Sequence, residues 1–195
     1  MFTSPINPAN TTQAQRLPGD VALWFFVLAE LSVFALLIAG FAVARFLDPA
    51  GFSAGPEALG LTDGVTLTLC LLGAGSCVAA AVEQVRGKRP SRAALWLLAA
   101  QGLGWGYIVL KAQEYQHLAS QGLSIDSGGF FTQYWLISGF HFVHVLLGLL
   151  VLLLLSVHLA WRKPLALSTL ESAGIYWHML DLVWVMLFAL FYLLL

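Results

Sequence analysis

Charge is what this sequence has least of. Only 10% of its 195 residues are Asp, Glu, Lys or Arg, against 59% hydrophobic, where a soluble domain carries about a quarter charged residues. An ordinary soluble domain is therefore excluded, and the chain is expected to be an integral membrane protein. The net charge of −1 says nothing of partners, and no nucleic acid is expected among them. Cysteine is scarce as well. Cys70 and Cys77 are seven apart in one apolar run, about 10 Å along a helix, which is too far for a disulfide. Catalytic signatures are missing: there is no Walker loop, GxSxG, CxxC or HExxH, so self-sufficient catalysis is not expected. The opening MFTSPINPANTTQAQRLPGD has no basic start leading into a short apolar core and cleavage site, and reads as a polar N-terminal tail over 1–20 rather than a signal peptide. No repeat relates the apolar segments, which argues against an inverted-repeat transporter.

Long apolar runs are abundant. A helix needs roughly 20 such residues to cross a hydrocarbon core of ~30 Å. Five segments qualify, at 21–46, 61–85, 93–115, 131–161 and 173–195. The connections LDPAGFSAGPEALG, RGKRPSR, QHLASQGLSIDSGG and RKPLALSTLES are too short for soluble domains. The expected fold is an all-α integral membrane protein, a single five-transmembrane-helix bundle over 21–195. Orientation follows from the basic residues. Arg16, Arg86, Lys88, Arg89, Arg92, Arg162 and Lys163 fall on one side and only Arg45 and Lys111 in the other half, seven of nine together. The positive-inside rule then puts the N-terminus in the cytoplasm and the C-terminus outside, as a multi-pass protein.

Ionisable groups inside the spans are costly and by default paired or functional. They are Glu30, Glu83, Lys111, Glu114, His141, His144, His178 and Asp181, with His158 nearer a helix end. At 1.5 Å per residue Glu30 lies about 14 Å and Asp181 about 12 Å from the cytoplasmic edge, and His144 about 10 Å from it. These three are expected to share a layer, with His141 one turn further out. Lys111 and Glu114, and likewise Glu83 and Arg86, are spaced i,i+3 as ion pairs, with a binding role for Glu114 as the other reading. His178 and Asp181 have the same spacing, fit for a metal site, a proton relay or a structural hydrogen bond. Trp177 and Trp184, seven apart, share a face. The pair His141 and His144 in SGFHFVHVLLG leaves open a haem, a transition metal, or hydrogen bonding and proton handling. A bis-His haem needs two imidazoles at matched depth on different helices; His144 and His178 meet the depth condition, but nothing completes a second axial set. In QGLGWGY, Gly102, Gly104 and Gly106 suit close helix packing better than the broken helix of a transporter.

The stretches WFFVLAELSVF, LKAQEYQHL, GGFFTQYWLISGFHFVHVLLGL and ESAGIYWHMLDLVWVMLFALFYLL resemble subunit III of haem–copper cytochrome oxidases in order and spacing, over most of the chain from Leu17. The chain looks like the family's shorter five-helix form, found in quinol oxidases and beside nitric oxide reductase. Its opening and FFTQYW are more similar to the nitric oxide branch. The resemblance implies an accessory subunit with no haem or copper of its own, packed against a haem-bearing catalytic subunit and holding phospholipid. It implies recurrent positions at Glu30, the buried carboxylate of that family, at Glu114, His141 and His144, and at Glu171, Trp177, His178, Asp181 and Trp184. Of these, Glu30, His141, His144, His178 and Asp181 are candidates for proton handling or a polar layer, and Glu114, Glu171, Trp177 and Trp184 for contact with lipid or partner. Larger members have two more N-terminal helices, so a lipid cleft lined by those helices is in doubt here. An independent proton-coupled transporter or channel is the alternative.

Overall fold

The computed structural model describes residues 21–52, 55–161 and 166–193. Within them run five long helices: α1 (Val21–Leu47), α4 (Leu61–Arg86), α5 (Pro90–Ser120), α6 (Gly129–Ala160) and α7 (Leu167–Phe188). Two single turns, α2 (Pro49–Phe52) and α3 (Gly55–Ala58), occupy the first connection, and Ala189–Leu193 prolongs α7 as a π-helical turn. All five long helices have the length and apolarity to cross a membrane. Among the described residues there is no strand. The expected tail, together with Arg16, Arg162, Lys163 and the last two residues, lies outside the described residues.

Two boundaries run well past the expected spans because local chemistry carries the helix on. α5 continues to Ser120 and stops where Gly122 takes φ 75°. There the Leu123 N–H donates to the Leu118 carbonyl and the Gly122 N–H to that of Ala119, both at 3.0 Å, a Schellman ending whose outer residue Leu123 packs back beside buried Leu118. α7 begins at Leu167 rather than 173, with Glu171 held by Arg86 across the α4–α7 contact at 3.1 Å. At the tight α4–α5 turn, Pro90 opens α5, where the missing N–H costs nothing. The left-handed residue of this turn is Lys88, at φ 57°, and not Gly87.

Helices α4, α5, α6 and α7 form a ring in which each packs on its sequence neighbour and α7 closes on α4, while α1 lies outside in the groove between α6 and α7. A glycine makes part of this closeness possible. A Cβ on Gly104 would come within 2.6 Å of Leu149 Cδ2, so α5 and α6 touch there only because that side chain is absent. α5 is continuous through QGLGWGY, without the break a transporter site would use. The core has two parts. One, built on α4 to α7, includes Leu67, Leu71, Ala74, Leu97, Trp177 and Trp184. The other gathers the aromatic rings of Phe34, Phe41, Phe52, Phe130, Tyr134 and Phe191 around the α2 end, mostly edge to face.

Candidate functional site

In hydrocarbon a side chain's polar atoms must find partners in the protein, and most of them here meet in three clusters. The first centres on Lys111, fully buried at 0% exposure and 2.7 Å from Glu114 Oε1. Its ammonium also donates to the hydroxyls of Tyr134 at 2.8 Å and Tyr192 at 3.3 Å. Tyr134 in turn donates to Glu114 Oε1, and Tyr192 to Glu114 Oε2 at 2.8 Å. Four rings, Tyr115, Tyr134, Trp184 and Tyr192, surround the ammonium within 4.8 to 5.8 Å of their centroids, a cation–π cage. The i,i+3 pair is thus present, and it is the centre of a network joining α5, α6 and the end of α7. Spacing and charge do not single out Tyr134 and Tyr192. A signal for them exists all the same: a tyrosine deep in an apolar run needs a partner for its hydroxyl. Glu114 also lines a hollow of about 680 Å³ with Asp63, Thr66, Gln113, His117 and Gln121.

The second cluster holds the two histidines. His141 is fully buried. Its Nε2 lies 3.2 Å from the Leu180 carbonyl and its Nδ1 3.3 Å from the Tyr107 hydroxyl. A carbonyl can only accept, so Nε2 carries the proton and Nδ1 accepts from Tyr107. Both nitrogens are satisfied in a neutral ring. His144 faces α1 instead. Its Nδ1 donates to the Phe140 carbonyl at 2.8 Å, and its Nε2 lies 3.2 Å from Glu30 Oε2, with side chains 12% and 19% exposed. These two atoms are close but not aligned as a hydrogen bond, and that oxygen has no donor among the described residues. Phe34 lays its ring edge-on to both imidazoles.

Asp181 takes a different direction. It packs against Gly75 of α4 so tightly that a Cβ on that glycine would overlap its Oδ2, and the same oxygen lies 3.3 Å from His178 Nδ1. Oδ1 of Asp181 and Nε1 of Trp177 are buried with no hydrogen-bond partner among the described residues. Glu30 and His144 therefore meet, while Asp181 sits on the α4 side of α7. Trp177 and Trp184, candidates for an interface, are fully buried in the bundle's own core. Trp184 Nε1 donates to Thr68 Oγ1 at 3.0 Å. Glu171 shares Arg86 with Glu83, each at 3.1 Å. Cys70 and Cys77 are both free.

Among the described residues no three His, Cys, Asp or Glu side chains come together as a metal ion requires. The polar groups are engaged chiefly with one another across helices, and what fold and clusters define is a five-span membrane bundle. The family model described as "Cytochrome c oxidase subunit III" matches residues 20–194. The chain belongs to that family. It is 27% identical over 193 residues to the "Probable quinol oxidase subunit 3" of Staphylococcus saprophyticus, with 94% of each chain covered. To the proteins of the same name from Staphylococcus epidermidis and Staphylococcus aureus it is 25% and 26% identical, again over 94% of each.

Proposed function

We infer that this chain is a non-catalytic accessory subunit of a respiratory haem–copper complex, packed in a bacterial plasma membrane against a haem-bearing catalytic subunit, with the N-terminal end of α1 on the cytoplasmic side. The observation that carries the reading is the family match over residues 20–194. The paired groups fit it, because Lys111, Glu114 and His141 are satisfied by partners within the bundle. The relatives' quinol-oxidase names favour an oxygen-reducing partner over the nitric oxide branch that FFTQYW suggests. Haem and copper belong, on this reading, to the partner alone. Phospholipid suits an apolar hollow of about 330 Å³ lined by Leu23, Phe26, Leu147, Val151, Leu155 and Tyr176, between α1, α6 and α7. Glu30 and His144, close but unbridged, are the pair best placed to hold a proton: on His144 it makes the contact an ion pair, and on Glu30 a neutral O–H to N contact.

Mild-detergent purification of the tagged chain tests the proposal. A haem-bearing subunit should come with it, and deleting the chain should lower oxygen consumption or shorten its duration. A chain that purifies alone and whose loss leaves respiration unchanged would remove the basis for it. Proton flux through liposomes holding the isolated chain would instead indicate a transporter.

A further inference from the structure

We propose that the outward face of α7 around His178 is the surface that docks on the haem-bearing subunit, and that it takes a transmembrane helix carrying a polar side chain that hydrogen-bonds His178 Nε2. The inference rests on the accessory-subunit reading above. α7 packs on α4, α6 and α1, which leaves one arc of it open between α1 and α4. His178, Leu182, Val185 and Met186 occupy that arc, all exposed. On the flank of α4 beside its contact with α7, the small Ser76 and Ala79 are exposed as well, so a partner helix can approach closely. Within this apolar strip stands an imidazole with half its side chain, 50%, uncovered. Its depth rules out a lipid headgroup as the natural cover. The Arg86–Glu171 bridge marks the polar level of α7, and His178 is seven residues further in, about 10 Å deeper at 1.5 Å per residue. Acyl chains offer no hydrogen bond there, and an unpaired polar group in that position is expensive.

The second half of the argument is what holds the ring. Gly75 has no side chain, so the Asp181 carboxylate is seated against the α4 backbone, and its Oδ2 faces His178 Nδ1 at 3.3 Å. That contact uses Nδ1 and leaves Nε2 of the half-exposed ring with no partner among the described residues. The carboxylate therefore holds the ring so that a hydrogen-bonding nitrogen is offered on the outer surface, as second partners of histidine do elsewhere. A neighbouring helix with a Ser, Thr, Tyr, Asn or Gln, each able to donate or accept, satisfies it.

The test uses the whole complex in native membranes. A benzophenone amino acid placed at Leu182, which is 53% exposed, is expected to cross-link to the haem-bearing subunit, and one at Leu98 on the outward face of α5, 59% exposed, is not. In a detergent wash series His178→Leu should retain about three- to twentyfold less partner haem than wild type, the range of a single interhelical hydrogen bond, while His178→Gln should keep most of it. A Leu182 probe that captures only lipid or a second copy of this chain, a haem-subunit product from Leu98 instead, or full retention by His178→Leu would each overturn the proposal. Wild-type chain that brings down no haem-bearing subunit at all is a different failure, that of the accessory-subunit reading itself.

Discussion

Lys111 and Glu114 form an ion pair that is almost wholly inside the bundle: the ammonium lies 2.7 Å from the carboxylate, with side chains 0% and 8% exposed. Both charges are turned into the bundle, so each depends on the other and on Tyr134 and Tyr192. Removing one partner of such a pair strands the second and costs about 3 to 5 kcal/mol, whereas removing both costs far less. Lys111→Met and Glu114→Gln should each lower the unfolding temperature in detergent sharply, and the double variant should recover much of the loss. Additive losses in the double variant would show that the two charges are not coupled.

Gly75 is the seat of Asp181, since a methyl group there would overlap the carboxylate. Gly75→Ala should therefore destabilise the chain by about 1 to 3 kcal/mol, the usual cost of overpacking. Asp181→Ala in the same chain should relieve it, read as recovery of detergent stability. If Gly75→Ala alone is neutral, the carboxylate does not occupy that position.

Glu30 and His144 make the contact most open to a change of protonation. Glu30→Gln leaves an amide that can still donate to His144 but cannot exchange a proton with it. Assembly with the partner should survive, and turnover should slow or the working life of the complex shorten, followed as oxygen consumption over repeated cycles. Unchanged rate and lifetime would assign Glu30 a structural contact only.

Topology is checked by a thiol reagent that does not cross membranes. Ser91→Cys, in the exposed first turn of α5, should react only after the cells are permeabilised, and Ser124→Cys, in the exposed loop between α5 and α6, in intact cells. The opposite pattern would reverse the orientation drawn from the basic residues.

The i,i+3 pairs are legible in the sequence. Lys111 with Glu114, Glu83 with Arg86 and His178 with Asp181 each follow from helical spacing alone, and each contact is present. Contacts between helices are legible only as depth. Glu30 and His144 fall at similar levels and do meet, yet Asp181 at much the same level turns toward α4, because depth along a helix says nothing of rotation about it. The tyrosine cage of Lys111 joins residues up to 81 positions apart, which no local pattern encodes. The early start of α7 is hidden because polar LSTLES reads as a loop until Arg86 arrives to pair with Glu171.

The sequence by itself determined that five apolar helices span a membrane and which charges must be hidden within them, because a bilayer imposes helix length and apolarity on every span regardless of its neighbours. Only the tertiary structure decided which hidden charges meet, and which side of α7 keeps its imidazole uncovered. Those outcomes depend on helix rotation and close approach, set by the side chains missing at Gly75 and Gly104 as much as by those present.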